Sequence, residues 1–232
     1  MRGCLSVLLL AVVLVVVGIW FAGPPIAAGV VQTALTSAGL RADHLDVVVQ
    51  ADPPLELALG RADRITVDGT NVQWDRHPAA SMHLALSDVN LVDRSAARTT
   101  GKLVGVDLGV EPNGSEATIE IAGEGPSADV TITIDPATAE AIAAAAFAQQ
   151  TGIRPSSVSF RSPNVIQFSA GSLNASGAMS VEADGSLAVS TPQGTVTVLD
   201  ADATQPIQLT DVAVEGDEIV LTGFVDVAAL LG

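Results

Sequence analysis

From Val47 to Leu221 the chain keeps returning to one pattern, an apolar residue, a polar one, then an apolar one. Val47-Val48-Val49 opens it after a short polar lead. Ile65 and Val67 alternate with polar neighbours, as do Val72 and Trp74. Met82, Leu84 and Leu86 follow, then Val89 and Leu91 on a shifted phase. Val104, Val106, Leu108 and Val110 come next, then Ile119 with Ile121, and Val130, Ile132 and Ile134. After residue 156 the rhythm returns in Val158 and Phe160, Met179 and Val181, Leu187 and Val189, Val196 and Val198. Ile207 and Leu209, Val212 and Val214, Ile219 and Leu221 complete it. A period of two puts every apolar side chain of a strand on one face. Parallel sheets covered by helices on both faces need continuous apolar runs instead. The pattern therefore predicts an antiparallel sheet with one wet face. Turn residues punctuate it at Pro112-Asn113-Gly114, Ala183-Asp184-Gly185 and Glu215-Gly216-Asp217.

Two helical segments interrupt the strands. The first is expected from Pro25 to Ala38, closed by Gly39. The second has Asp135 as N-cap and Pro136 at its first position, the arrangement that best starts a helix. Gly152 ends it, and Pro155 prevents its resumption. Ala139, Ile142, Ala143, Ala146 and Phe147 share one face at helical spacing. Each helix is followed by a glycine and then a strand, an internal echo of the kind many folds share. The fold class expected is α+β.

Leu5 to Ala22 is an uncharged, almost wholly apolar run of eighteen residues. That is about the length that crosses a bilayer core as a helix. Arg2 and the amino terminus flank it, which places residues 24–232 outside the cytoplasm. Pro24 and Pro25 interrupt a helix at the membrane exit. The expectation is residues 1–23 as a transmembrane anchor or uncleaved signal, and 24–232 as one extracytoplasmic domain. The alternative is a secreted protein cut near Ile26-Ala27-Ala28, although cleaved signals usually carry a shorter apolar stretch. Cys4, the only cysteine, precedes the run. The outer part therefore has no disulfide and no cysteine-based metal site or nucleophile.

The net charge of −16 is uneven. Residues 41–102 hold nine acids and seven bases, whereas residues 103–232 hold seventeen acids against Arg154 and Arg161. Nucleic-acid binding needs clustered Lys and Arg, so it is not expected. Purely electrostatic docking on anionic lipid is disfavoured on the same ground.

Residue patterns for catalysis are sparse. His44, His77 and His83 lack the spacing of a zinc helix and read as solvated surface residues. Neither a nucleophile elbow nor a phosphate loop appears. Val196 to Thr204 ends in Asp200-Ala201-Asp202-Ala203-Thr204, the string that haloacid-dehalogenase-type phosphatases use. Those enzymes follow it with further helix–strand units and a lysine. Here lysine is absent after Lys102, and only strand-like sequence remains. A turn is the expected role, since that string with neither glycine nor bidentate glutamate also falls short of a calcium loop. No catalytic residue, metal or cofactor is expected.

Residues 39–91 carry a resemblance. Pro54-Leu55, Gly60-Arg61, Asp63-Arg64-Ile65-Thr66-Val67 and Leu86-Ser87-Asp88-Val89 are similar to the bacterial LmeA-like phospholipid-binding family. The order of elements from 24 to 225, with a helix at Pro136, resembles that family too. The chain departs from it at Leu55, where an aromatic residue usually follows the proline.

The resemblance implies a non-enzymatic, phospholipid-binding envelope protein. It also implies a curved antiparallel sheet wrapped along one or two helices, half of a tubular lipid-binding architecture, with an apolar groove between sheet and helix. Inward strand residues Ile65, Val67, Leu84 and Leu86, with Phe147 from the second helix, would line that groove, and Leu55 on the proline-led loop is a further lipid-binding candidate. Arg61 and Arg64 would face a lipid phosphate. The alanines 143–146 either leave room beside the sheet or allow close packing. The partners expected are membrane phospholipid and the bilayer through residues 5–22, with protein partners unspecified. The alternative is a structural or protein-interaction module of the envelope with no bound lipid.

Overall fold

The computed structural model describes residues 25–37, 39–74, 77–107, 116–192, 194–199 and 207–230. The expected membrane segment at 5–22 lies outside the described residues, as do Leu108, Val110, the turn at 112–114 and the Asp200–Thr204 string. Among the described residues, no helix is long and apolar enough to cross a membrane.

Helix α1 covers residues 25–37. Strands β1 (Leu40–Arg41) and β2 (His44–Gln50) follow, then a 3-10 helix at Pro54–Leu59. Four long or medium strands run next: β3 (Arg61–Trp74), β4 (His77–Asn90), β5 (Ser95–Asp107) and β6 (Glu116–Glu124). After β7 (Ser127–Ile134) comes helix α2 (Pro136–Thr151). Strands β8 (Ser157–Arg161), β9 (Val165–Ala170), β10 (Leu173–Val181), β11 (Leu187–Thr191) and β12 (Gly194–Leu199) follow. The hairpin β13 (Ile207–Glu215) and β14 (Glu218–Asp226) leads into the short helix α3 (Val227–Leu230).

All of the strand pairings are antiparallel, as the alternation predicted. Among the described residues they form two sheets rather than one. The larger runs β1-β3-β4-β5-β6-β7-β14-β13, with β2 continuing the β1 edge along β3. The smaller is a five-stranded meander, β8 to β12. The last hairpin therefore leaves the small sheet and closes the far edge of the large one.

The phase shift between Leu86 and Val89 is a property of three strands. Ala62 and Ile65 on β3, Leu86 and Val89 on β4, and Ala96 and Thr99 on β5 are all buried, each pair three residues apart. Register aligns them in two rows, Ala62–Val89–Ala96 and Ile65–Leu86–Thr99. Each strand thus adds one residue at the same level and keeps its apolar side inward. Asp88 sits there with φ of 50°. On β5 the expected alternation from Val104 is corrected. A register shift between Leu103 and Val106, with Gly105 at φ 66°, turns Leu103 and Val106 inward and leaves Val104 exposed. Such a bulge inserts one residue and re-aims the rest of the strand.

Two cores result. The first gathers Leu40, Ile65, Val67, Val72, Leu86, Val89 and Val130 on one face of the large sheet, with Ala27, Ala28, Val31 and Leu35 of α1 against it. The second joins β7, β13 and β14 to the small sheet through Ile134, Val212, Leu221, Ile166, Phe168 and Val189, with Ala139 and Ala143 of α2. Helix α2 is capped as the sequence predicted. The Asp135 carboxylate accepts from the Ala137 and Thr138 N–H groups at 3.0 and 3.1 Å, and Gly152 closes the end at φ 71°. Partial burial raises the Asp135 pKa, but hydrogen bonds from the Thr138 hydroxyl and N–H and from Ala137 outweigh it and hold it below 3.8. Thr138 also accepts the Glu116 N–H at 3.1 Å, tying the helix start to β6. At the expected turn 183–185, the Ser186 hydroxyl and N–H hold the Asp184 carboxyl below its ordinary value.

Candidate functional site

The residues expected to meet a lipid fall in three places. Ile65, Val67, Leu84 and Leu86 form one block. Register sets Ile65 beside Leu86 and Val67 beside Leu84, and cross-strand neighbours share a face. Ile65, Val67 and Leu86 are buried in the first core and Leu84 is half-buried against it. Arg61, Arg64 and Leu55 lie at one end of the same sheet and are exposed. Neither arginine has an ion-pair partner among the described residues.

Phe147 is elsewhere, which corrects the single lining expected. It packs against the second core and stacks on Phe168, with ring centroids 4.6 Å apart and 22° between planes. The space beside it, between Ala143, Ala146, Val189 and Val198, is about 10 Å³. That is at the threshold for a single water. The alanines of α2 draw the helix close to the small sheet and leave no room for a chain there.

The first core holds one group that the sequence does not single out. Thr99 is 1 % exposed, and its hydroxyl has no hydrogen-bond partner among the described residues. Its place opposite Leu86 puts it on the apolar face of the Ile65–Leu86 row. Below it the next row, Val67–Leu84–Gly101–Ile121, is flattened by Gly101, where an added Cβ would meet Leu84 at 3.3 Å. A buried polar group without a partner costs about 1–3 kcal/mol, so such a group asks for an explanation. Sequence alone conceals it, because Thr99 reads as an ordinary exposed strand residue until the extra residue at 97–98 turns it inward.

The opposite, wet face of β2 to β5 carries an open trough of about 480 Å³. Asp46, Asp68, His83 and Lys102 line it, with Thr70 and Ser81 alongside. The row is set by register: Asp46 opposes Asp68, Asp68 opposes His83, His83 opposes Lys102, and Lys102 opposes Glu120. His83 Nδ1 lies 2.6 Å from Asp68 Oδ1, and Lys102 Nζ lies 2.7 Å from Glu120 Oε1. All four side chains are more than half exposed. No hydrogen bond joins Ser81 to His83, so the hydroxyl is not activated as a nucleophile requires. Among the described residues, no group of three His, Cys, Asp or Glu side chains is placed to hold a metal. His83 is the solvated strand residue its phase predicted, and His44 is exposed as well.

Comparisons of the chain with protein-family models, curated proteins and solved structures give no match.

Proposed function

We propose that the protein is a non-enzymatic phospholipid-binding protein of the bacterial envelope, tethered by residues 5–22, that takes an acyl chain between α1 and the large sheet. The observation that carries this reading is the unpartnered Thr99 hydroxyl in the first core, beside Leu86. An ester carbonyl or glycerol oxygen of a lipid would accept its proton, while the methylenes lie on Ile65, Val67, Leu84 and Leu86. Each buried methylene contributes about 0.8 kcal/mol, so one acyl chain supplies useful affinity.

Helix α1 is suited to give way. It meets the core mainly through Ala27, Ala28, Val31 and Leu35, each only part-buried. A helix held by two large side chains and two alanines loses little packing when it shifts outward. The curved, wrapped form of the sheet belongs to this reading. Arg61 and Arg64, exposed and without an ion-pair partner among the described residues, stand at the end of β3 for a headgroup phosphate.

The packed space at Phe147 favours a second reading, a structural module whose cores are both dry. Native mass spectrometry of the full chain, with lipid extraction of the same sample, separates the two. A stoichiometric phospholipid adduct that Arg61→Ala with Arg64→Ala weakens for anionic lipids is expected. A lipid-free mass that stays unchanged after incubation with phosphatidylglycerol vesicles overturns the lipid reading.

A further inference from the structure

The end of the first core that holds Thr99 is floored by small residues. Register puts Gly123 of β6 beside Thr99, and Gly101 follows two residues on, on the same face of β5. Ala96 lies on the row before, opposite Val89. Ala128 packs over Gly123, where an added Cβ would collide with it. Both alanines are buried. On β3 and β4 the same face carries Ile65, Val67, Leu84, Leu86 and Val89 instead.

A floor of alanine and glycine is ordinary where backbones pack closely. The Thr99 hydroxyl sets this one apart. Thr99 is 1 % exposed, its hydroxyl has no hydrogen-bond partner among the described residues, and it stands among the small side chains. A hydroxyl in that position has a proton to donate and nothing to receive it.

The element over this floor is α3. Helix α1 comes off the far end of the sheet, where Leu40 pairs with Trp74. Its residues, 25–37, rise about 20 Å. Ile65, on the Thr99 row, lies at about 30 Å from Trp74 along β3. The cover given by α1 therefore stops short of that row. At the near end, the Val227 N–H donates to the Pro126 carbonyl and the Gly125 N–H to the Ala97 carbonyl, both at 2.9 Å. The β6–β7 turn thus joins the start of α3 to β5, and α3 packs on β5 as well as on β14. Val227 is buried in the first core with Ala96 and Ala128.

The hold on α3 is light. It is a single turn of four residues. The Asp226 carboxylate accepts the Ala228 N–H at 2.9 Å, and Ala228 itself is exposed. Segments with few buried side chains are the ones that open locally while the rest of a domain stays folded.

We infer that α3 is the lid of an ester subsite. It lifts from Ala96, Gly123 and Ala128, and the glycerol ester of a bound phospholipid takes its place, with the Thr99 hydroxyl donating to an ester carbonyl. This rests on the proposed lipid binding and gives the lipid a direction. The acyl chain runs from Thr99 along Leu86 and Leu84 towards α1, and the headgroup lies at the sheet end where β6 turns into β7.

The test is amide hydrogen exchange of the full chain in detergent micelles, with and without dioleoyl phosphatidylglycerol. Loading is expected to make the Val227 and Ala228 amides exchange about tenfold faster, while Ile219 to Val225 of β14 stay as protected as before. Val227→Ala, which shortens the buried side chain of the lid, should speed both uptake and release of the lipid without lowering the amount retained. Equal or greater protection at Val227 in the loaded protein overturns the lid. Native mass spectrometry of the same samples reports on binding separately. A phospholipid adduct with α3 still protected rejects the lid alone, and a chain that takes up no phospholipid rejects the lid and the lipid reading together.

Discussion

The two helices follow the same local script and end in different surroundings. Each is followed by a glycine with positive φ, Gly39 at 93° and Gly152 at 71°, and each lays alanines on a sheet. Helix α2 is enclosed by the small sheet and by the β13–β14 hairpin, its first turn is tied to β6 through Thr138, and about 10 Å³ remains beside it. Helix α1 has the large sheet under it and, among the described residues, no second sheet over it, with Ile26 and Val30 exposed. The difference lies in what covers the helix. A second sheet closes one core, and its absence leaves the other with a removable side. The unpaired Thr99 hydroxyl is in the core with the removable side.

The strongest way to break this contrast is to empty each core in turn. Phe168→Ala removes the ring that Phe147 stacks on and should cost about 3–5 kcal/mol in urea unfolding, with lipid retention unchanged. Leu86→Ala should cost about 2–5 kcal/mol and should also reduce lipid retention. Equal lipid loss in both variants would remove the distinction between the cores. Thr99→Val keeps the shape and removes the orphaned hydroxyl. Lipid-free protein should gain about 1 kcal/mol in the same assay while lipid binding falls. A gain in stability with unaltered binding would make Thr99 purely structural.

Smaller changes sharpen the picture. Asp135→Ala should cost about 1 kcal/mol at neutral pH through loss of the α2 cap. Because the folded pKa of Asp135 is lowered, its contribution is full above the unfolded value of 3.8 and is lost as pH falls through the lower folded value. Unfolding curves of wild type and variant should therefore converge in acid. Lys102→Ala, which breaks an exposed pair with Glu120, should shift stability by less than about 1 kcal/mol.

Strand alternation and capping residues were legible because they depend on neighbours in sequence. Asp135, Pro136 and Gly152 mark both ends of α2, and the two-residue rhythm marks one face of most strands. Three things depend on pairing across strands and stayed hidden. Strand β9, Val165–Ala170, carries Ile166 and Phe168 at two-residue spacing, and only its register with β8 and β10 brings the small sheet together. The bulge at Gly105 turns Val104 outward while Val106 stays inward, so the two do not share a face. The extra residue shared by β3, β4 and β5 turned Thr99 inward. Of the residues expected to bind lipid, the four on β3 and β4 come together by register, and the two arginines with Leu55 share an end. Phe147 was misplaced because helix periodicity shows which residues share a face and not which sheet that face meets.

The most direct test is photo-crosslinking of the full chain to phosphatidylglycerol with a diazirine in its acyl chain, followed by peptide mapping. The account predicts adducts on peptides from α1 and from the Ile65–Val67 and Leu84–Leu86 segments, and none on α2 or the small sheet. Adducts confined to residues 5–22, or found equally on Phe147 and Phe168 peptides, would contradict it.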